Sequence, residues 1–407
     1  MQRRNETGPW RGRLLVLLLV GLWGIGCGED TPYRDVGPDW MRTGKLAGLG
    51  IYHGMTDSAL KNALNQMVDQ HVDVVIADSS LSNYKSDAQF EKDMGLLDRV
   101  ASEAHARGLK VVWYLTTLEV QTVNGRILPN SMYKDHPDWV QIGLDGKPNV
   151  FYGSQEDWVE PDDESAWMDP RSPYREYFLK RVKRLAQSKI DGIWADVPLY
   201  MDTATKWNSH SKWAAEHFKK TTGFDLPKKL DWKDPVWRRW INYRHHELNE
   251  FLMDIRKAAD AVRPEFEVLI EVFTVDYNDA MDKGLDGAFM GNVKGMAKAW
   301  EIDSVSNGQG MLLASHDDWL GKVALTKFAR GCDKGRPTWV FNYGNVEWDA
   351  QMVMAVAFAS QANPYETKTP NMATSVGPAF RKRMFSWADK QKDAIFYTKP
   401  AARVGLL

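Results

Sequence analysis

The sequence predicts an α/β chain folded as one (β/α)8 barrel, the TIM barrel, on three observations. From residue 45 onward, short apolar runs alternate with amphipathic helical segments, the pattern of a parallel sheet covered by helices. Eight such runs fall within about 300 residues, the span of a single barrel with insertions. The first run leads into Gly50-Ile51-Tyr52-His53-Gly54-Met55 and not into a G-x-G-x-x-G turn, which argues against a doubly wound dinucleotide-binding sheet.

Taken in order, the predicted strands are Ala47–Tyr52, Val72–Ala77, Lys110–Leu115, Gly192–Asp196, Glu267–Val272, Gly287–Met290, Met311–Ser315 and Thr338–Asn342. After the first strand, Asp57 is placed to cap a helix whose buried stripe is Leu60, Leu64, Met67, Val68 and His71. Asp87 is placed to cap the next, with Phe90, Met94, Leu97 and Ala101 inward and Gly108 as its left-handed stop. Ser172-Pro173 opens a third over Tyr174, Phe178, Val182 and Leu185. Two connections far exceed the usual length of roughly 2–6 residues. The loop after strand 3 runs from Glu119 to Arg171 through Tyr133, Trp139, Phe151, Tyr152, Trp158 and Trp167. The loop after strand 4 runs from Tyr200 to Trp240 through Trp207, Trp213, Trp232 and Trp237. Both long, aromatic-rich loops belong to the face at the strands' C-terminal ends, where barrel active sites sit. Their rings either stack on a flat, hydroxylated ligand or pin the loops to the barrel. The last helix is expected at Ala350–Ala362, so the barrel is predicted over residues 45–363. Residues 364–407 read as a C-terminal extension, and its final run Ala401-Ala402-Arg403-Val404-Gly405-Leu406-Leu407 reads as the first strand of a further domain.

Residues 1–27 read as an export signal. Arg3, Arg4, Arg11 and Arg13 form a basic region ahead of the 12-residue apolar run Leu14–Ile25, which is too short to span a bilayer comfortably. The sequence Gly24-Ile25-Gly26-Cys27 followed by Gly28-Glu29-Asp30 resembles a bacterial lipobox. That resemblance implies lipidation of Cys27, a tether over residues 28–44, and export to a bacterial membrane at its periplasmic or outer surface. Plain secretion follows if the lipobox is not used.

Composition narrows the function classes. The 407 residues are 43% hydrophobic and 26% charged, as in ordinary globular domains. With 52 Lys+Arg against 54 Asp+Glu the net charge is −2, so the phosphate-neutralising term that drives nucleic-acid binding is missing. Cys27 and Cys332 alone cannot build a disulfide framework, and Cys332 reads as a buried, inert thiol. The nine His are scattered, and His245-His246, with Glu247 and Glu250 nearby, lacks the H-E-x-x-H spacing of a zinc helix, so it reads as a packing or solvated pair. No metal or cofactor is therefore predicted. The aromatic surplus (18 Trp, 14 Tyr, 15 Phe) suits stacking on sugar rings as well as core packing.

In a barrel enzyme the chemistry stands at the strands' C-terminal ends. Strand 1 ends in Tyr52 and His53, strand 2 in Asp78, and strand 3, which contains Trp113, in Thr116, Thr117 and Glu119. Strand 4 ends Gly192-Ile193-Trp194-Ala195-Asp196-Val197-Pro198, an apolar run closed by a carboxylate. Strand 5, Val268-Leu269-Ile270-Glu271-Val272, carries one carboxylate among apolar neighbours, where it must be satisfied or functional. Strand 7 leads into His316, Asp317 and Asp318, and strand 8 into Asn342 and Tyr343. Glycosidic-bond hydrolysis needs two carboxyls flanking the scissile bond. Asp196 and Glu271 fall on neighbouring strands about 4.8 Å apart, within reach of the roughly 5–5.5 Å separation of a retaining pair. The apolar neighbours of Glu271 favour its protonated form, as a general acid requires.

Asp at strand 4, Glu at strand 5 and His-Asp at strand 7 resemble the arrangement of the α-amylase-like glycoside hydrolase superfamily. The resemblance implies Asp196 as nucleophile, Glu271 as acid/base, and Asp317 with His316 as stabilisers of the charged sugar ring. It departs at one position: that superfamily carries Arg two residues before the nucleophile, where this chain has Trp194. Gly192-Ile193-Trp194-Ala195-Asp196 resembles instead the fourth strand of α-fucosidase-like and α-galactosidase-like barrels. His136-Pro137-Asp138-Trp139 and Met168-Asp169-Pro170-Arg171-Ser172-Pro173 resemble segments of bacterial glycosyl-hydrolase-like barrels. Some of those continue into a domain like the β-galactosidase trimerisation domain, and Arg403–Leu407 resembles its start, which would imply a homo-oligomer.

The expected function is thus a retaining glycosidase acting on oligo- or polysaccharide outside the cytoplasm. Its catalytic residues are Asp196, Glu271 and Asp317; its substrate-binding residues are Tyr52, His53, Asp78, Trp113, Trp194, His316, Asn342 and Tyr343. Two alternatives stand beside it: a metal-dependent barrel hydrolase of deacetylase or amidohydrolase type using His53, Asp78, His316 and Asp317, and a glycan-binding lipoprotein without catalysis.

Overall fold

The computed structural model describes residues 37–78, 84–153, 159–273, 284, 295–301, 316–333, 336–341, 347–364 and 376–398. A short helix α1 (Asp39–Thr43) leads into β1 (Leu46–Gly50), α2 (Asp57–Asp69), β2 (Val74–Asp78), α3 (Asp87–His105) and β3 (Lys110–Thr116). The long connection after β3 holds β4 (Glu119–Thr122), α4 (Met132–Asp135), β5 (Val150–Tyr152) and β6 (Glu164–Trp167), then α5 (Tyr174–Ala186). Next come β7 (Gly192–Asp196), α6 (Lys212–Thr222), α7 (Pro235–Asp260), β8 (Glu267–Phe273) and β9 (Ala297–Glu301). The chain finishes with α8 (His316–Asp333), β10 (Thr338–Phe341), α9 (Glu347–Ala359), β11 (Asn363–Pro364), α10 (Val376–Lys390) and α11 (Lys392–Phe396).

Eight strands pair in parallel in the order β1-β2-β3-β7-β8-β9-β10-β11, a nearly closed (β/α)8 barrel. Side chains of a strand alternate between two faces, and the barrel sorts them into two cores. The inner core holds Leu46, Val74, Ile76, Val112, Trp194, Leu269, Ala297, Ala299 and Trp339, with Met41 of α1 among them. The outer core, between strands and helices, takes the intervening residues, such as Val75, Val111, Ile193, Val268 and Ile270. Across the gap between last and first strands, Asn363 of β11 donates its amide to the carbonyls of Arg42 (2.9 Å) and Gly44 (3.0 Å) ahead of β1.

The helices start where short polar side chains meet unpaired N–H groups. The caps are Thr56 for α2 and Ser86 for α3, the latter in a capping box with Gln89, each one residue before the Asp expected from sequence. Gly108 holds the predicted left-handed stop at φ 78°. The loop after β3 forms a separate antiparallel sheet in the order β4-β6-β5.

Three strand assignments change. The sixth strand is Ala297–Glu301, while Gly287–Met290 and Met311–Ser315 lie outside the described residues. Thr338–Phe341, expected as the eighth strand, is the seventh, and the eighth is the two-residue β11, taken from sequence as the end of the barrel. Consequently α10 is the helix of the eighth β/α unit. It buries Phe380, Phe385 and Ala388, and its Asp389 lies 2.7 Å from Lys45 Nζ and 2.7 Å from His71 Nδ1. Cys332 of α8 is half-buried. The signal, Cys27 and the final apolar run lie outside the described residues, among which no helix is long and apolar enough to cross a membrane.

The seam closure is testable. Asn363→Ala removes this donor from one buried and one half-buried carbonyl and should lower stability by about 2 kcal/mol in urea denaturation. A loss indistinguishable from zero would show that the seam is held by other contacts.

Candidate active site

β7 is the strand that positions the site. Its start is tied down by Asp191, which accepts from Val111 N–H (2.9 Å) and Lys110 Nζ (2.9 Å). Gly192 lets β7 approach β8, because a Cβ there would stand 2.4 Å from the Glu267 carbonyl oxygen. From that point the register runs Gly192–Glu267, Ile193–Val268, Trp194–Leu269 and Ala195–Ile270, and its continuation sets Asp196 level with Glu271. On the other side Thr116 pairs with Asp196. Trp194 and Leu269 point into the barrel, so Asp196 and Glu271, two residues further along, share their face. Both lie at the C-terminal end, 5% and 1% exposed.

The local bonds orient this pair. Trp194, fully buried, donates its indole N–H to Glu271 Oε2 at 2.6 Å. Thr117 Oγ1 donates to the Asp196 carbonyl at 2.5 Å, and the Val197 amide donates to Asp196 Oδ1 at 2.8 Å. Val197 adopts φ 45°, a left-handed conformation that costs a β-branched residue about 1–3 kcal/mol and persists where its surroundings impose it. With neighbouring strands about 4.8 Å apart, the two carboxyl-bearing positions stand side by side on the inner face.

The other predicted site residues divide. Tyr52 stands at the rim after β1, 57% exposed. Neighbouring His53 Nε2 lies 2.8 Å from Asp93 Oδ1 of α3, so its partner is in the helix layer. Trp113 is corrected: it faces outward on β3, buried and stacked on Phe90 with ring centroids 6.2 Å apart, while Val112 takes the inner face. Trp194, expected to touch substrate, is wholly buried and acts instead on Glu271. Asp78 ends β2, and its side chain lies outside the described set. His316 and Asp317 begin α8, between the sixth and seventh strands, so they do not close strand 7; their side chains are also outside the described set. Asn342 and Tyr343 lie outside the described residues. The residue that ends the sixth strand is Glu301, hidden from sequence reasoning by the misplaced strand. Among the described residues no three His, Cys, Asp or Glu side chains gather in a group able to hold a metal ion.

Most loop aromatics are pins. α7 begins at Pro235, inside the second predicted loop, and Trp237 and Trp240 are fully buried on it beside Phe218 and Tyr243. Trp167 and Phe151 are likewise buried, whereas Trp232 remains largely exposed. His136 stacks on Trp139 at 3.7 Å, and Trp213 donates to the Asp138 carbonyl at 2.9 Å.

A second buried acidic cluster flanks the segment after Asp196. Asp169 and Arg171, from the Met168–Pro173 motif, meet Glu247 of α7, which is 1% exposed. Arg171 Nε donates to Glu247 Oε1 at 2.6 Å, and its Nη2 pairs with Glu250. His245 is buried and His246 exposed, as expected of a packing pair. Burial, reinforced by the neighbouring Asp169 charge, pushes Glu247 up to about 7, against the pull of Arg171 and Tyr243. Burial likewise pushes Asp169 up to about 6. Sequence reasoning read Asp169, Arg171 and Glu247 separately; their meeting spans 76 residues from Arg171 to Glu247.

Fold and site together define a TIM barrel with paired carboxylates on the fourth and fifth strands. No protein-family model matches the chain, and no curated protein sequence does either. Solved structures similar to it are TIM-barrel glycoside hydrolases. The PgaB (BpsB) glycoside hydrolase domain from Bordetella bronchiseptica matches with a TM-score of 0.59 at 13% identity, over 88% of this chain and 99% of that one. The catalytic domain of β-amylase from Paenibacillus polymyxa matches with a TM-score of 0.58 at 13% identity, over 87% and 99%. The β-galactosidase from Bacillus circulans sp. alkalophilus matches with a TM-score of 0.59 at 13% identity, over 87% of this chain and 57% of that longer one. At such identity the likeness establishes the fold.

The acidic cluster predicts a pH dependence of stability. A carboxyl whose value rises on folding stabilises the fold below its unfolded value, and that contribution is lost as pH climbs through the folded value. With Asp169 at about 6 and Glu247 at about 7, stability should fall between about pH 4 and 7, and Glu247→Gln should flatten the fall in thermal melts. A steeper fall in the variant would contradict the assignment.

Proposed function

We propose that the protein is a retaining glycoside hydrolase acting on oligo- or polysaccharide outside the cytoplasm, with Asp196 as nucleophile and Glu271 as general acid/base. One observation carries this reading: two buried carboxylates stand level on adjacent strands, on the inner face, at the barrel's C-terminal end. Asp196 attacks the anomeric carbon while Glu271 protonates the departing oxygen, giving a glycosyl ester on Asp196. Glu271, now a base, takes a proton from water, and the resulting hydroxide attacks the same carbon and frees Asp196. Little water reaches either group, so charge developing on the sugar meets fixed partners in a weakly screening medium. Trp194 serves in this scheme by holding Glu271 Oε2 through its indole N–H.

The solved glycoside hydrolases of the same fold support the reaction class. The basic, apolar and Cys27-terminated N-terminus supports export and lipid anchoring at a bacterial membrane. Tyr52 at the rim offers a ring for stacking on substrate.

The test is turnover on a panel of aryl α- and β-glycosides. Asp196→Ala should lower kcat by about 10⁴-fold or more while keeping the melting transition; undiminished turnover ends the assignment. Trp194→Phe removes one donor from Glu271 and should lower kcat by about tenfold. Glycan affinity with no cleavage across the panel would favour the binding-only reading.

A further inference from the structure

β7 ends at Asp196, and the chain then crosses residues 197–211 as a strap before α6. Three non-glycine residues of the strap hold left-handed conformations: Val197 (φ 45°), Trp207 (φ 56°) and Ser209 (φ 99°). Such conformations persist only where the surroundings over-determine them. Here the surroundings are buried polar groups. Gln141 donates to the Leu199 carbonyl at 2.9 Å and accepts from the Met201 amide at 3.2 Å, and Asn149 donates to the Met201 carbonyl at 2.7 Å. At the centre is Glu247 of α7. Its Oε2 accepts from Tyr200 OH at 3.1 Å, four residues past Asp196, and from Ser209 Oγ at 3.2 Å near the strap's far end. Its Oε1 accepts from Arg171 Nε at 2.6 Å and from Tyr243 OH.

We propose that Glu247, braced by Arg171, is a positioning residue for Asp196: it ties both ends of the strap to α7 and so fixes where the nucleophile's carboxylate stands. The inference rests on the reading of Asp196 as nucleophile. It gives the Met168–Pro173 motif a task, since that motif supplies Arg171. A misplacement of about 1 Å at a reacting group costs about a hundredfold in rate, so a strut remote from the substrate still governs turnover.

The strut also faces titratable groups on every side. Asp169 and Arg171 come from the turn before α5; Tyr200, with Arg244 stacked on its ring at 4.6 Å, comes from the strap. His217 Nδ1 of α6 lies 3.8 Å from Glu247 Oε1, and Tyr243 and Glu250 come from α7 itself. A cleft of about 280 Å³ lined by Arg171, His217, Asn242, Tyr243, His246 and Glu250 brings solvent to this point. Burial and the Asp169 charge push the ionisation of Glu247 up to about 7. Turnover should therefore depend on a group that touches no substrate.

The experiment compares Asp196→Ala, Glu247→Gln and Tyr200→Phe in the full chain, with kcat, KM and the pH profile on the best aryl glycoside of the panel. Glu247→Gln and Tyr200→Phe should each lower kcat about tenfold or more with KM within about twofold. Glu247→Gln should also erase the ionisation near 7 from the kcat profile. If Glu247→Gln fails to fold, Tyr200→Phe, which removes a single hydroxyl from the same link, decides the matter. Unchanged kcat and pH profile in folded Tyr200→Phe or Glu247→Gln, with Asp196→Ala dead, overturns the strut and leaves the nucleophile standing. Full activity in Asp196→Ala overturns the nucleophile itself.

Discussion

The site depends on strand parity. In a pleated strand every second side chain faces the same way, and a slip of one residue exchanges the faces. Trp194 and Leu269 are held in the inner core, and this commits Asp196 and Glu271 to the inside as well. The register of β7 against β8, with Gly192 allowing close approach, then makes the two carboxylates neighbours. Burying two acids is costly unless each is bonded or used. Here Glu271 takes an indole donor, and Asp196 takes the amide of a strained Val197.

The tryptophan at position 194 shows how one residue serves two levels. As a large apolar body it fills the barrel interior at the height where the strands need volume. As a donor it satisfies a buried carboxylate one layer above. An arginine there, as in the α-amylase-like pattern, would bring a charge; the indole brings orientation with none. The same economy governs the strap, where Glu247 both satisfies Arg171 and holds Tyr200 and Ser209.

Much of this was legible in the residues. The first five barrel strands, β1, β2, β3, β7 and β8, are apolar runs between helical stretches, and the sequence pattern places each to within two residues at either end. The later ones were not legible in the same way. Ala297-Lys298-Ala299-Trp300-Glu301 reads as polar in sequence, yet Lys298 is buried on the outer side against Asp333 at 3.2 Å, a partner 35 residues away. β11 is two residues long and sits at the edge of a Pro/Thr/Gly-rich stretch. Trp113 lies on a site-bearing strand, but alternation back from Thr116, which shares the inner face with Val112, turns it outward. The start of α7 carried its own signal in Asp234-Pro235, a cap followed by a first-turn proline. Glu247 carried none, since nothing local distinguishes a helix-surface glutamate from one whose partners arrive from two other segments.

The claim that a single acidic pair performs the chemistry is tested most directly by trapping the intermediate. A 2-fluoro-glycoside with a good leaving group, matched to the preferred sugar, should leave a sugar ester that peptide mass spectrometry maps to Asp196. A label on a different carboxylate, or turnover whose first product has inverted anomeric configuration, would contradict the account.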